Sequence, residues 1–484
     1  MPVAPLDLAL LAAYVGGTVA FGLWMGRGQK SASDFLLGGR DLPWTVLLLS
    51  IVATETSTVT FLSLPGVAFF GDMRFLQLPL GYIIGRTVAA AVMVPLYFRG
   101  QLFSAYEVLR VRSGPQVRTI ASGIFLVTRT VADGLRLFLT AIVLQVMFGW
   151  DLSLAVIAVG AATVVYTVIG GIKAVVWTDA VQFFVYMAGA AVAFVVMHDR
   201  IDGGLAAAFA SDGAADRLRV FALEWDLAAN YTLWAGLIGG AVLSIGSHGV
   251  DQLIVQRFLC ARSQQDAQRA LFWSGPVVLG QFLVFLLLGV GLAAFYAQVP
   301  PAQPLSKPDR VFADFIVHQL PTGVVGIVLG ALFSAAMSTL SSSLSASASA
   351  FVNDFVLPLT RHEQDSAFAL RASRAATVLF AGLQVLVGVT GLGLDPDAPV
   401  IGQVLAIQNL NLGMVLGLFL LALSARRSAK ASLVGLLGGL AATCWIVVGK
   451  PDIGWPWLGL ITCIATVSVG KLTQLITPGT NTSA

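Results

Sequence analysis

Long apolar stretches alternate with short polar ones along the whole chain. A helix needs about 20 apolar residues to cross the hydrocarbon core of a bilayer. Measured with that length, the chain contains thirteen apolar spans, near residues 6–25, 43–70, 75–98, 119–148, 151–169, 174–197, 231–256, 270–297, 312–350, 370–392, 400–424, 431–449 and 453–474. The pattern predicts an all-α polytopic membrane protein with about 13 transmembrane helices and no attached soluble domain.

The composition excludes most other classes of protein. Of the 484 residues, 57% are hydrophobic and 11% are charged, whereas soluble domains carry about 25% charged residues. A net charge of +3 does not indicate a nucleic-acid partner. The three cysteines lack CxxC spacing, so neither a disulfide framework nor a metal site is indicated. No obligate protein partner is indicated either.

Basic residues predict the orientation in the membrane. The first apolar run is followed, not preceded, by its first basic residue, Arg27, so we interpret it as a retained helix and not as a signal peptide. Loops after odd-numbered spans and the C-terminal tail hold eighteen Lys and Arg residues, and the other side holds seven. The positive-inside rule then places the N-terminus outside and the C-terminus in the cytoplasm. We expect a multi-pass protein of the plasma membrane, the inner membrane of a bacterium.

Several charged or ionisable residues lie inside the apolar spans, where they are costly and often functional. They are Glu55, Arg86, Arg129, Asp133, Arg136, Asp179, His248 and Asp251. One helix face carries Arg129, Asp133 and Arg136. Because the single aspartate can neutralise only one of the two arginines, one positive charge remains unpaired on this face. Either Glu55 neutralises that charge in a structural ion network, or the spare arginine binds a carboxylate of the solute.

The ninth span carries a stripe of hydroxyl groups. Ser338, Ser341, Ser342, Ser345 and Ser349 fall on one side of a helix, with Thr339 beside them. Small hydroxyl residues can simply pack helices closely in lipid. They also supply neutral oxygen ligands that suit sodium, a hard cation.

Two spans contain polar interruptions at corresponding positions. The second span includes the run 53–58 (ATETST), and the seventh, five spans later, includes 244–249 (SIGSHG). Helix breaks expose main-chain carbonyls, which is tolerated at membrane depth where the break lines a cavity. Paired breaks in two halves point to an inverted-repeat transporter with a central binding site. The competing interpretation is that glycine and serine are merely common in membrane helices.

Four stretches resemble the sodium:solute symporter family, which includes sodium/proline, sodium/glucose and sodium/sialic acid symporters. They are SASDFLLGGRDLPW, SIVATETSTVTFLSLPG, YTVIGGIKAVVWTDAVQ and AAMSTLSSSL. The resemblance implies a LeuT-like fold of two inverted five-helix repeats within a single transporter domain, 1–484. It implies an extra N-terminal helix at 6–25, repeats at 43–197 and 231–424, and two C-terminal helices at 431–474.

The resemblance also implies positions for ligands. A first sodium ion maps onto the carbonyls of Ala53, Thr56 and Ala335 and the hydroxyls of Ser338 and Thr339. A second sodium ion, present in some members, maps onto Asp179, Ser338, Ser341 and Ser342. Solute-facing positions map onto Glu55, Ser57, Thr60 and Phe75, and we add Arg129, Arg136 and His248 as candidates. The arginine that binds the sialic acid carboxylate in relatives aligns with Ala132, which argues against sialic acid here.

We therefore expect a sodium-coupled secondary active symporter that imports a small polar organic solute by alternating access, with one or two sodium ions. A carboxylate or a zwitterion such as an amino acid is favoured. The alternatives are proton coupling through Glu55 or Asp179 in the same fold, or a sodium/sugar or sodium/sialic acid symporter. No HExxH, GxSxG or GxxxxGK[ST] motif occurs, which argues against an enzyme and against ATP as the energy source.

Overall fold

A computed structural model describes residues 4–99, 102–301, 304–364, 366–390, 400–424 and 428–476. Regular structure in these ranges is helical, apart from a bridge between Leu42 and Ala261. Nine of the described helices are long and apolar enough to cross a membrane, and two bent helix pairs raise the number to eleven. The predicted all-α, multi-span architecture is confirmed.

The described part of the chain contains twenty-one α-helices. The N-terminal half contains α1 (Pro5–Met25), α2 (Ala32–Leu37), α3 (Trp44–Glu55), α4 (Thr58–Phe70), α5 (Gln77–Val88), α6 (Val94–Phe98), α7 (Glu107–Ser113), α8 (Pro115–Phe148), α9 (Leu152–Arg200), α10 (Gly204–Phe209) and α11 (Asp212–Arg217). The C-terminal half contains α12 (Gly240–Gly249), α13 (Gln252–Leu259), α14 (Gln264–Gln298), α15 (Pro308–Gln319), α16 (Val324–Phe351), α17 (Leu357–Thr360), α18 (Ala367–Thr390), α19 (Val400–Leu423), α20 (Ala429–Gly449) and α21 (Leu458–Ile476).

Two predicted spans, 151–169 and 174–197, form the single 49-residue helix α9, which changes direction at Gly171. The backbone of Gly171 has φ 56° and ψ −162°, a conformation open essentially to glycine alone. A Cβ atom there would lie 2.5 Å from the carbonyl oxygen of Phe35. The kink thus separates the two predicted spans without a loop. The total of thirteen crossings stays a prediction.

Two spans are broken near the middle, as the polar interruptions predicted. α3 and α4 meet at 65°, with Thr56 and Ser57 between them. The helical segment Ala235–Gly249, which ends with α12, meets α13 at 54°. The second break falls at Val250 and Asp251, so the predicted location at 244–249, which is helical, was wrong by a few residues. The Asp251 carboxylate accepts a hydrogen bond from the Leu253 amide at 2.9 Å, and this N-cap starts the new helix there.

The serine-rich helix α16 lies at the centre of the fold. From Val324 to Phe351 almost every residue is buried, against α9, α3, α8 and α18 among others. Its N-terminus is capped by the additional N-terminal helix, because the Asp7 carboxylate accepts hydrogen bonds from the Gly323 and Gly326 amides, both at 2.7 Å. Each predicted repeat, 43–197 and 231–424, has its broken span near its beginning. The repeat boundaries themselves stay predictions.

Candidate functional site

The first break lies against the middle of α16, where the first sodium ion was predicted. The Ser338 hydroxyl is 3.0 Å from the Ala53 carbonyl oxygen and 3.3 Å from that of Ala335. The Thr339 hydroxyl is 3.2 Å from the Ala335 carbonyl oxygen and 3.4 Å from that of Thr54. Four of the five predicted ligand residues therefore meet, all buried. The Thr54 carbonyl is a further oxygen that the sequence analysis missed.

The fifth predicted ligand residue, Thr56, lies in the break itself. Its hydroxyl accepts a hydrogen bond from the Gln281 amide nitrogen at 2.5 Å and one from the Tyr186 hydroxyl at 3.4 Å. These contacts join the break to α14 and α9. They hold the unwound backbone in one conformation, which is what a carbonyl ligand set requires.

The predicted second sodium site contains a cation of the protein itself. The Asp179 Oδ2 atom accepts hydrogen bonds from Ser50 at 2.6 Å, Arg257 at 3.0 Å and Ser342 at 3.4 Å. Arg257 is wholly buried and also donates to the Ser342 hydroxyl. Arg257 is 78 positions away in sequence but adjacent in space, so the charge of Asp179 is balanced within the protein. The Ser341 hydroxyl bonds to the Ser338 carbonyl, at 3.2 Å.

The predicted solute-facing residues all line one cavity between the two breaks. The space between the lining residues amounts to about 900 Å³ when the opening to solvent is included. The predicted residues in its wall are Glu55, Ser57, Thr60, Phe75, Arg129, Arg136 and His248. The structure thus brings the predicted set together around one cavity.

Glu55 is already paired within this cavity. Its Oε2 atom is 2.5 Å from the Arg86 guanidinium, and its Oε1 atom is 3.2 Å from Nε2 of His248. Arg86 is fully buried, and its other amino group donates to Ser274 at 2.7 Å. Glu55 therefore does not neutralise the spare arginine of α8, as one interpretation expected. Its charge is matched by Arg86.

The spare positive charge on α8 is matched by the second break. Arg129 lies 2.5 Å from the Asp251 carboxylate and 3.6 Å from that of Asp133, and Arg136 lies 2.7 Å from Asp133. Two arginines thus face two aspartates, and the group is neutral as a whole. Asp251 is visible in the sequence as a charge inside a span, but its place beside Arg129 was not predicted.

The two arginines differ in their ion pairs. Among the described residues, each has one hydrogen-bonded aspartate and one buried nitrogen without a partner, but Arg129 also has Asp133 at 3.6 Å. Arg136 also borders a second, smaller cavity, lined by Ser57 and Thr339 among others. Arg136 is therefore the cationic group that reaches both the solute cavity and the edge of the first sodium site.

A family comparison identifies the protein class to which this geometry belongs. The model of the sodium:solute symporter family matches residues 35–441. The chain belongs to the sodium:solute symporter family. The predicted family and its sodium coupling are thus confirmed, and the family's members are transporters and not enzymes.

Individual relatives cover nearly the whole chain. It is 29% identical over 480 residues to the sodium/sialic acid symporter NanT of Aliivibrio fischeri, which covers 97% of this chain and 92% of that protein. It is 28% identical over 453 residues to the sodium-coupled monocarboxylate transporter 1 of Xenopus laevis, covering 92% of this chain and 71% of that one. The human sodium/iodide cotransporter is 28% identical over 466 residues, with 92% and 70% covered.

Solved structures confirm the fold. A substrate-bound, outward-open sodium-coupled sialic acid symporter aligns with a TM-score of 0.85 at 24% identity, over 98% of this chain and 99% of that one. A nucleobase-cation-symport-1 family transporter aligns with a TM-score of 0.57 at 13% identity, over 92% and 95%. At these identities the likeness shows the fold alone, and that fold is the LeuT-like one expected.

This member of the sodium:solute symporter family has cavity residues that the sequence analysis missed. Tyr82, Phe282 and Gln408 all line the solute cavity. Gln408 begins the polar run 408–411 inside an otherwise apolar span, and that run was an available signal. Ala132, which aligns with the carboxylate-binding arginine of the sialic acid symporters, is buried. It borders a small cavity beside the solute cavity and not the solute cavity itself.

Proposed function

We propose that this symporter imports a small hydroxylated carboxylate together with sodium, and that Arg136 binds the carboxylate. The observation that carries the proposal is the difference between the two arginines of α8. Arg129 is held by two aspartates, whereas Arg136 has one partner and a side chain that is 15% exposed at the cavity. A guanidinium with free donors is the group best suited to a carboxylate. Of the two candidate arginines, the contacts therefore favour Arg136.

The pairing of Glu55 argues for a carboxylate over an amino acid. A zwitterion needs an anionic partner for its ammonium group as well as a cation for its carboxylate. The two oxygens of Glu55 already face Arg86 and His248. The two aspartates at the cavity, Asp133 and Asp251, are paired with the arginines of α8. An ammonium group would therefore have to displace the His248 imidazole or a guanidinium from its carboxylate, at a high cost in this buried setting.

Hydroxyl groups on the solute would meet polar partners in the remaining wall. Ser57, Thr60, Ser247 and Gln408 line the cavity, with the ring of Phe75 among them. Hydroxyl and amide side chains can donate to and accept from a polyhydroxylated solute. Relatives named for sialic acid and for monocarboxylates support this solute class, of which acidic sugars are one example.

For the first sodium ion we propose the ligands Ala53, Thr56, Ala335, Ser338 and Thr339. The ion would join the α3–α4 break to α16. It would thereby stabilise the arrangement of these helices in which the cavity binds the solute. We propose a second ion at Asp179, beside Ser338, Ser341 and Ser342. With the N-terminus outside, the inward sodium gradient would drive import by alternating access.

A thermal-shift screen of the purified full-length protein tests this proposal. The panel contains sialic acid, lactate, proline and glucose, each with sodium and with choline. We expect a carboxylate to raise the melting temperature in sodium only, and Arg136→Gln to abolish that increase. Stabilisation by proline or glucose, or equal stabilisation in choline, would contradict the assignment.

A further inference from the structure

Two fully buried side chains of α9 carry an oxygen without a hydrogen-bond partner among the described residues. These atoms are Oδ1 of Asp179 and Oε1 of Gln182, whereas the Gln182 amide nitrogen lies beside the Tyr14 hydroxyl. A buried polar group without a partner costs about 1–3 kcal/mol, so such groups in a native fold call for a physical explanation. The two residues are three positions apart on one helix and therefore share a face.

That face is turned toward the hydroxyl stripe of α16. Asp179 contacts Ser342, and a Cβ atom on Gly189 would lie 2.8 Å from the Cβ of Ala331. The later residue of α9 thus meets the earlier residue of α16, so the two helices run antiparallel. From the contact between Gly189 and Ala331, seven residues back along α9 lead to Gln182, and seven residues forward along α16 lead to Ser338. Gln182 and Ser338 therefore lie at the same level. Ser338 is the residue common to both predicted sodium sites.

The other oxygen of Asp179 is fully occupied. Arg257 donates to Oδ2 and also to Ser50 at 2.8 Å and to the Leu253 carbonyl at 2.6 Å. The guanidinium is therefore fixed from three sides and fully buried. It balances the aspartate charge, so Asp179 can remain an anion in the membrane. Oδ1 is left as a negatively polarised oxygen to which none of the described residues donates a hydrogen bond.

We infer that the amide oxygen of Gln182 is a ligand of the second sodium ion, together with Oδ1 of Asp179 and the hydroxyl of Ser338. The inference rests on the proposed second ion and names the ligand that the sequence did not suggest. Sodium prefers oxygen ligands and accepts carboxylate, amide and hydroxyl oxygens alike. Arg257 and Ser342 hold Oδ2 and so position the carboxylate. The Gln182 amide nitrogen remains for the Tyr14 hydroxyl beside it, which bonds to Ser334.

The test counts sodium ions bound to the purified full-length protein. Equilibrium binding of radiolabelled sodium is measured in a scintillation proximity assay, alongside the Hill coefficient for sodium-induced thermal stabilisation. The variants are Gln182→Leu, which removes the oxygen, Gln182→Asn, which withdraws it by one methylene, and Gln182→Glu, which keeps it. Gln384→Leu is the matched control, because Gln384 is also buried and bonds to Ser343 of α16 at 2.9 Å.

We expect about two bound sodium ions in the wild type, in Gln182→Glu and in the Gln384→Leu control. Gln182→Leu and Gln182→Asn should bind about one, with a Hill coefficient that falls to about one. If both of these variants still bind two ions, Gln182 is not a ligand and the inference is overturned. A single ion in the wild type also overturns it but leaves the first sodium site intact. Binding of no sodium would instead overturn the proposed function.

Discussion

Asp251 joins the second helix break to α8 through Arg129. Its carboxylate caps α13 through one oxygen and lies 2.5 Å from the Arg129 guanidinium through the other. The bond therefore fixes the position of the break relative to a helix that borders the solute cavity. It also neutralises the arginine that the sequence left as a candidate for the solute carboxylate.

Breaking this pair from one side should destabilise the protein. Arg129→Gln or Asp251→Asn each leaves a buried charge without its partner, and the expected loss is about 3–5 kcal/mol. The double variant removes both charges and should recover most of the loss. Apparent melting temperatures in detergent measure the effect. Losses that simply add in the double variant would show that the two residues do not act as a pair.

Arg136→Gln should weaken solute binding while the protein still folds, because Asp133 keeps Arg129 as a second ion-pair partner at 3.6 Å. A hydrogen bond to a charged group contributes about 1.5–3 kcal/mol, so the dissociation constant should rise about ten- to hundredfold. Arg136→Lys keeps the charge but loses the planar donor geometry, and its dissociation constant should be intermediate. Isothermal titration with the best carboxylate of the screen gives the values. An unchanged dissociation constant in Arg136→Gln would remove this residue from the binding site.

Ser338→Ala and Thr339→Ala should each raise the sodium concentration needed for half-maximal uptake. Each removes one oxygen from a small ligand set, and buried apolar neighbours cannot replace it. We expect an increase of about tenfold, the equivalent of a single lost ligand contact. Ser343→Ala is the control, since Ser343 lies on the same helix but bonds to Gln384. The prediction is wrong if all three variants show the same sodium dependence.

The buried pair of Arg257 and Asp179 should show strong coupling. Arg257→Gln leaves the buried aspartate without its counter-charge, which should cost about 3–5 kcal/mol of stability. Combining it with Asp179→Asn should restore much of that stability but not the second sodium ion. Melting curves and sodium counts on the same preparations separate the two effects. A double variant as unstable as Arg257→Gln would indicate that the charge pair is not the cause.

Local features of this protein could be predicted from its sequence. Apolar length predicts the spans, and the polar run 53–58 predicts the first break, because both depend on neighbouring residues. The serine stripe predicts which side of α16 faces the break. The second break lies at Val250 and Asp251, directly after the predicted run 244–249, because Asp251 acts as an N-cap, a role that hydropathy does not reveal.

Charge partners could not be predicted in this way. Glu55 pairs with Arg86, Asp179 with Arg257 and Arg129 with Asp251, and the last two pairs join residues 78 and 122 positions apart. Each of these partners was visible as a polar residue in an apolar region or at its end. Which acid meets which base depends on how distant helices pack, and helical periodicity carries no information about that.

The most direct test of sodium-coupled carboxylate symport is uptake into proteoliposomes containing only the purified protein. A radiolabelled carboxylate from the thermal-shift screen is supplied outside, with an inward gradient of either sodium or choline. We predict that the solute accumulates above its external concentration in the sodium gradient, and that Arg136→Gln and Ser338→Ala both reduce this accumulation. Equal accumulation in the choline gradient, or accumulation that follows a proton gradient instead, would contradict the account.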